Sequence, residues 1–489
     1  MKNSRFNSPK NIKVTKGIVK TNWRIKQAMS TTRKEMDPLG EKEIPKDAYF
    51  GIQTFRATEN FPISGLREPF VFIKAYVSIK KAAAIANKQV GWLKDETADA
   101  IIQACDEVLA GKFLDQFVID VFQAGAGTSF NMNVNEVLAN RALEILGKPR
   151  GEYKIVGPND HVNMGQSTND TFPTALHVSV LMALQPLLNE LDLLAEAFEA
   201  LSKKYAHVIK SGRTHLQDAV PVTNGQEFGA YGSVIKHCSD ELKRRQENLY
   251  SVALGGTATG TGANAHPEYK RLAIGELTKM TGFPLKPAAN NFEALQSHRA
   301  AATVSSGLKE LALELIRIAN DLRLLASGPT TGLDEIVLPP VQPGSSIMPG
   351  KVNPVMAECL DMVAYQVVGC DTAVSLAVQA GQLELNVMTP AIVYNMHFAI
   401  QILTNYLPVF RKRCVEGITV NEQKCTDYLE KNPSMATLLS PYIGYLEAAK
   451  LAKQAQKECR SVKEIALEKG LLKPEQLEKI FSRKNLLNE

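Results

Sequence analysis

The chain has 489 residues, of which 45% are hydrophobic and 22% charged, which is ordinary for a globular protein of two or three domains. Its formal charge of +5 is misleading, because residues 1–34 hold ten Lys and Arg and no acid, which leaves the remainder at −5. This mildly acidic body argues against a nucleic-acid-binding surface. The apolar runs are interrupted well before the roughly 20 residues needed to span a bilayer, so the sequence predicts no transmembrane segment.

Residues 1–36 are predicted to form a disordered basic arm, because they are poor in apolar residues. The acid-free composition also resembles an organellar transit peptide. The alternative explanations are a dispensable tail, or a start codon assigned too early with Met29 as the true start. Seven scattered cysteines without a C-x-x-C pair indicate a reducing compartment. We therefore expect a cytoplasmic protein, or an organellar one if the arm is a transit peptide.

An N-terminal domain is predicted over residues 37–165, beginning with an irregular segment from Asp37 to about Gly65 that is rich in Pro and Gly. Beyond it, three stretches carry apolar residues at helical spacing: Ala82–Ala86, Ala98–Leu109 and Asn135–Leu146. We expect these stretches to be helices joined by polar loops.

A domain of long helices is predicted over residues 166–420. The five helices are expected at Phe172–Ile209, Gln226–Val252, Ser297–Ala326, Val355–Ala380 and Ala391–Val415. They are apolar on more than one face, so they need partners on several sides, and a bundle completed between subunits would supply them. No strong β-periodic run is apparent, so the predicted class is mostly α. Short helices separated by Pro and Gly predict a small C-terminal domain over residues 421–489.

Four polar clusters lie between the predicted helices: Gly125–Glu136, Asn159–Asp170, Gly212–Asp218 and Gly344–Glu358. Each is rich in hydroxyl and amide groups and precedes a long helix, whose free N–H groups favour anions. Such clusters suit a small substrate that carries carboxylates. The last cluster lacks phosphate-loop spacing, because Val follows Lys351 where that motif needs Ser or Thr.

Purely structural explanations exist for each cluster. Ser167 or Asn169 could cap a helix that starts near Thr171, with Asp170 as its N-cap. His215 could be a structural histidine, and the Gly344 segment a solvated surface loop. The glycine-rich run Gly255–Gly262 is interpreted as a tight turn and not as a nucleotide site. Neither the histidines nor the acids show metal-ligand spacing, so no metal is predicted.

Taken together, the four clusters resemble the fumarase/aspartase superfamily of β-elimination lyases, and Gly344–Asn353 (GSSIMPGKVN) is its specific signature. The resemblance runs from about Asp37 to about Phe481. Leu39–Ile63, Gly127–Ser129 and Ser167–Asp170 are more similar to the aspartate ammonia-lyases than to the class II fumarases. Two other stretches look fumarase-like, Asn291–Leu295 and Gly255–Ala258, so a fumarase remains the alternative.

The resemblance implies a mostly α, three-domain fold whose homotetramer has a core of twenty helices, five from each subunit. It implies active sites shared between three subunits, and the release of ammonia from L-aspartate to give fumarate without a cofactor. The implied catalytic residues are Ser345, His215 and Glu358. Ser345 is the base on a flexible loop, and Glu358 is the partner of His215. The implied substrate-binding residues are Thr128, Ser129, Ser167, Thr168, Asn169, Thr214, Ser346, Lys351 and Asn353.

Overall fold

Over residues 31–487 the protein is built mainly from helices, with four small two-stranded sheets. The structure is a computed structural model that describes residues 31–487. In chain order its elements are β1 (Thr32–Asp37), β2 (Gly40–Pro45), α1 (Ile52–Asn60), α2 (Phe70–Gln89), α3 (Asp95–Leu109), α4 (Thr128–Ile145), α5 (Thr168–Lys204), β3 (Ile209–Thr214), β4 (Gln217–Thr223), α6 (Asn224–Arg245), β5 (Ser251–Val252), α7 (Tyr269–Thr281), β6 (Lys286–Pro287), α8 (Asn291–Gln296), α9 (Arg299–Leu325), β7 (Ile336–Val337), α10 (Val355–Gln379), α11 (Thr389–Arg413), β8 (Thr419–Val420), α12 (Glu422–Lys431), α13 (Ser440–Ile443), α14 (Tyr445–Glu458), α15 (Val462–Glu468), α16 (Pro474–Ile480) and α17 (Arg483–Leu487).

The N-terminal hairpin of β1 and β2 corrects two expectations. The segment expected to be irregular contains β2 and α1, and residues 32–36 of the expected arm form β1. Arg33, which the sequence placed in that arm, donates hydrogen bonds to Glu35 and to the carbonyl of Ala48. These contacts tie β1 to the loop after β2. The rest of the arm, residues 1–30, lies outside the described residues.

The buried carboxylate of Glu136 on α4 holds the N-terminus of α1. It accepts hydrogen bonds from the backbone N–H groups of Gly51, Gln53 and Thr54 at 2.8–3.1 Å. A carboxylate is favoured at this end of a helix, where N–H groups lack internal partners. The three helical stretches predicted before residue 165 are confirmed: two fall within α2 and α3, and the third lies in α4 except for Leu146, one residue past the end of that helix.

All five predicted long helices are present as α5, α6, α9, α10 and α11. The end of the first is wrong, because α5 stops at Lys204 and the chain then forms the β3–β4 hairpin. The second ends early as well, since α6 gives way to a 3₁₀ turn over Gln246–Tyr250. Their apolar faces share one hydrophobic core with the N-terminal helices.

A second hydrophobic cluster lies in the C-terminal part of the chain, between Met435 and Ile480. Within residues 31–487, α5 is the one helix that is long and apolar enough to cross a membrane by length and composition. Of its most apolar window, 61% is buried inside the protein, and buried core helices pass the same test.

Candidate active site

The N-termini of α4 and α5 lie side by side and bring the first two polar clusters together. Thr128 Oγ1 donates to Thr168 Oγ1 at 3.2 Å. Gly127 precedes α4 with a φ of +88°, and a Cβ there would overlap the Phe172 ring, so glycine is required for this approach. Ser129 is half-buried on the first turn of α4. The pair of threonine hydroxyls therefore forms a polar floor between two helix N-termini.

Ser167 caps α5, which corrects the alternative that placed the cap at Asp170 and the helix start near Thr171. The Ser167 Oγ accepts from the Asn169 N–H at 3.2 Å, and Asp170 Oδ1 accepts from the Ser167 N–H at 3.0 Å. This is a capping box. Ser167 can cap α5 and still belong to the site, because the same helical turn places Thr168 beside Thr128.

The glycine-rich run folds as turns against this end of α5, as predicted. The buried Asp170 Oδ2 accepts from the N–H groups of Gly255 and Thr257, both at 2.9 Å. Burial raises the pKa of Asp170 to about 6, against the effect of these donors. The Asn169 amide nitrogen donates to the Ala258 carbonyl at 2.7 Å, so its oxygen is turned away as an acceptor.

Lys80 on α2 is a component of this region that the sequence analysis missed. It is fully buried and donates three hydrogen bonds at 2.8–2.9 Å, to the side-chain oxygens of Asn131, Asn163 and Gln166. Asn131 in turn donates to Thr168 Oγ1 at 3.0 Å. Burial lowers the pKa of Lys80 to about 7, and the charge of Asp170 opposes that effect. Lys80 thus lies beneath the threonine floor and is linked to it through Asn131.

The third cluster forms the tip of the β3–β4 hairpin. Thr214 pairs with Gln217, and the two-residue turn between them places His215 at φ +55° and Leu216 at φ +58°. Hairpin turns of this type favour Asn and Gly, and a left-handed Leu costs about 1 kcal/mol or more. Thr214 and His215 are both exposed. Strained, exposed residues at a loop tip are typical of a functional position.

A buried ion network anchors the base of this hairpin. Glu335 is fully buried and lies 2.7 Å from both Lys210 Nζ and an Arg213 guanidinium nitrogen. Lys210 also pairs with Glu227 at 2.9 Å, and these carboxylates hold its pKa above the usual value despite burial. The network fixes β3 just before the strained tip.

Replacing Glu335 by leucine is expected to destabilise the protein by about 3–5 kcal/mol, because it removes the carboxylate that pairs with Arg213 and leaves Lys210 with Glu227 alone in a buried setting. Thermal unfolding would measure the change. Glu199→Ala, which removes an exposed pair with Lys203, should cost no more than about 1 kcal/mol. Equal effects of the two substitutions would contradict a structural role for the network.

The fourth cluster is a loop that closes on itself before α10. The Gly344 N–H donates to the Lys351 carbonyl at 2.9 Å, and Asn353 Nδ2 donates to the Gly344 carbonyl at 2.6 Å. Inside this ring, Ser345 Oγ accepts from the N–H groups of Ile347 and Met348, at 3.2 and 2.9 Å. Two backbone donors aimed at one hydroxyl oxygen stabilise negative charge on it.

The remaining predicted residues of this loop are available to a ligand. Ser346 and Lys351 are exposed, and Glu358 is half-buried on the first turn of α10. Asn353, by contrast, uses its amide nitrogen to close the loop. Between residues 31 and 487, no hydrogen bond or ion pair joins Glu358 to His215, or joins either the hairpin tip or the serine loop to the Thr128–Thr168 floor. Within the described part of one chain, hydrogen bonds therefore leave the floor, the hairpin tip and the serine loop unconnected.

Comparison with known proteins identifies the family in which this helical bundle and these polar clusters occur together. The family model described as "Lyase" matches residues 40–369, and the model described as "Fumarase C C-terminus" matches residues 435–488. The protein is a lyase, and it belongs to the fumarase/aspartase superfamily. Among the described residues, no group of three or more His, Cys, Asp or Glu is placed to hold a metal ion.

Individual relatives narrow the comparison within that superfamily. An aspartate ammonia-lyase of a Bacillus species is 50% identical over 450 residues, covering 92% of this chain and 96% of the relative. A solved structure titled fumarate lyase:delta crystallin from Brucella melitensis, bound to cobalt, is 47% identical with a TM-score of 0.90, covering 92% and 98% of the two chains. The recombinant class II fumarase of Schistosoma mansoni has the same coverage and a TM-score of 0.89, but is 38% identical.

Proposed function

We propose that the protein is an aspartate ammonia-lyase that interconverts L-aspartate with fumarate and ammonia. The similarity to relatives of that name, at 50% identity, exceeds the 38% identity to the fumarase structure. This comparison supports the amine substrate and leaves class II fumarase as the alternative. The residues of the three site parts supply the chemistry that such an elimination requires.

The observation that carries the proposal is the environment of Ser345. A base must remove a proton from the carbon beside the substrate's β-carboxylate, and that C–H bond is only weakly acidic. In the proposed step, the Ser345 alkoxide takes this proton, and the electron pair moves into the carboxylate to give a doubly charged aci-carboxylate. The two N–H donors from Ile347 and Met348 favour the alkoxide over the neutral hydroxyl.

Neutral donors in the site stabilise the charge that develops on the β-carboxylate, which is the largest contribution expected for such a reaction. The hydroxyl groups proposed for this role are those of Thr128, Ser167, Thr168 and Ser346. Ser129 lies next to Thr128 on the same turn. Lys351 supplies the fixed cation for the α-carboxylate, with Asn353 and Thr214 beside it. Their contact with a substrate requires the serine loop to open and re-form around it.

The collapse of the aci-carboxylate forms the double bond and breaks the bond to nitrogen, so ammonia leaves with the electron pair of that bond and the protons it already carries. No general acid is needed for this step, whereas the loss of hydroxide from malate needs one. The Asn169 oxygen, turned away from Ala258, is an acceptor suited to the substrate ammonium group. His215, oriented by Glu358, is proposed to lie on the same side.

A complete site is proposed to form in a homotetramer, where the floor, the hairpin tip and the serine loop come from three different subunits. The lack of hydrogen bonds between these parts, within residues 31–487 of one chain, supports this arrangement. Large apolar side chains are also exposed along the long helices, including Leu313, Met362 and Leu376. Such exposed rows are expected where subunits pack. The free state of all seven cysteines agrees with the proposed cytoplasmic location.

The ultraviolet absorbance of fumarate tests the substrate. The purified protein should generate fumarate from L-aspartate, while L-malate should give little or none at the same concentration. Rapid fumarate formation from malate with none from aspartate would replace the proposal with the fumarase alternative.

A further inference from the structure

We propose that Lys80 is a positioning residue that fixes the direction of the hydrogen bonds beneath the substrate, so that Thr168 can act only as a donor to the carboxylate. This inference rests on the proposed function for the identity of the ligand, a dicarboxylate. The hydrogen-bond geometry around Lys80 does not depend on the proposed function. The inference starts from Lys80, a buried lysine that is not part of the family signature and has no role in the proposed elimination.

The first step is the polarity of Lys80 itself. An ammonium group has three hydrogens to donate and no lone pair to accept with. At Lys80 all three hydrogens are used, on the oxygens of Asn131, Asn163 and Gln166 at 2.8–2.9 Å. A neutral amine could donate only two of these bonds, so the arrangement fits the charged form.

The second step is that Lys80 selects one orientation for each amide. The oxygen of Asn131 must face Lys80, so its nitrogen must face the other way, toward Thr168 Oγ1 at 3.0 Å. The opposite orientation would place two sets of donors against each other in a buried space, since Asn131 is only 2% exposed. An unmet buried polar group costs roughly 1–3 kcal/mol, which is enough to fix the amide.

The third step concerns Thr168. Its oxygen accepts from Asn131 and from Thr128, which uses both lone pairs. Among residues 31–487, no hydrogen bond is made by the hydroxyl hydrogen of Thr168. That hydrogen is therefore kept for an acceptor outside this network. A carboxylate oxygen only accepts, so the network presents the matching polarity before the substrate arrives.

The groups that face Lys80 support a role beyond packing. Asp170 on α5 and Cys105 on α3 are the titratable neighbours from other elements, and the Tyr76 ring lies 5.5 Å away on its own helix. The three amides that accept hydrogen bonds from Lys80 are neutral. The positive charge is thus balanced mainly by Asp170, and it also attracts negative charge that develops above Thr168.

Two substitutions test the proposal. Lys80→Met removes the donors and the charge at similar size. Asn131→Asp keeps the size, gives Lys80 a charged partner that favours folding, and removes the donor to Thr168. Each should lower kcat/KM at least about 100-fold, as for the loss of an oxyanion donor, with kcat falling more than KM rises. Asn140→Asp, the same change in a buried position on α4 that contacts Tyr49 and Tyr153, is the control and should keep wild-type kinetics.

A double-mutant comparison of Lys80 with Thr168 distinguishes a positioning role of Lys80 from a general structural effect. If Lys80 acts through Thr168, the loss from Lys80→Met should shrink to less than about 10-fold in a Thr168→Val background. Fully additive losses would overturn the proposal, and so would a folded Asn131→Asp protein with wild-type kcat/KM. If Lys80→Met does not fold, Asn131→Asp decides alone.

Binding of succinate, an unreactive dicarboxylate, keeps this test separate from the proposed function. Succinate should raise the melting temperature of the wild type, and at least a tenfold higher concentration should be needed for Asn131→Asp. A wild-type protein that forms no fumarate from aspartate would overturn the proposed function only. Equal succinate protection of both proteins would overturn the role of Lys80, whatever the reaction is.

Discussion

Replacing Ser345 by alanine is expected to lower kcat by about 10³-fold or more, with little change in the melting temperature. The size of the loss follows from removing the only group proposed to take the proton, since a general base contributes about 10²–10⁴-fold. Stability should be kept because residues 346–352 of the loop are exposed and its main closing bonds join Gly344 to Lys351 and Asn353. Steady-state fumarate formation and a thermal melt measure the two effects.

The neighbouring hydroxyl provides the matched comparison. Ser346→Ala removes one proposed carboxylate donor and leaves the base in place. A hydrogen bond to a charged group is worth about 1.5–3 kcal/mol, so the loss should be about 10–100-fold. Wild-type turnover by Ser345→Ala would mean that Ser345 is no base, and an equal loss in both variants would assign both serines to binding.

Mixing two inactive variants is expected to restore activity. Thr168→Val damages the floor, and Ser345→Ala damages the serine loop. If each site takes these parts from different subunits, random mixed tetramers should regain about a quarter of the wild-type sites. The physical reason is that some sites then receive an intact floor from one subunit and an intact loop from another. Unfolding and refolding the two proteins together, followed by the fumarate assay, measures the recovery.

A pair of variants in the same loop controls for this effect. Ser345→Ala mixed with Lys351→Met should give no recovery above the mean of the two, because every site receives its loop from a single subunit. No recovery in the first mixture, although mixed tetramers form, would show that the floor and the loop of one site come from the same chain.

Helical periodicity identified the long helices because their apolar faces repeat over many turns, and tertiary contacts changed only their ends. The sequence did not predict the β1–β2 hairpin, because its strands are short and rich in charged residues. The sequence of β1, for example, is Thr-Arg-Lys-Glu-Met-Asp. The β3–β4 hairpin was not predicted for another reason. Its turn contains His215 and Leu216, whereas turns of this type are usually recognised in a sequence by Asn and Gly.

The candidate site shows a similar limit. The hydroxyl and amide clusters could be read from local composition, whereas Lys80 could not. It lies on an alanine-rich helix beside Lys81, where a lysine is usually solvated. Its inward position is stabilised by hydrogen bonds to Asn131 on α4 and to Asn163 and Gln166 in the loop before α5. A buried charge whose partners are distant in sequence has no local signal.

The proton nuclear magnetic resonance spectrum of the reverse reaction tests the central claim most directly. Fumarate is incubated with the enzyme and ammonium chloride in water, so that ammonia and water compete as nucleophiles in one tube. The account predicts the resonances of aspartate growing as those of fumarate disappear, with no malate. Malate as the product, with aspartate absent, would contradict it.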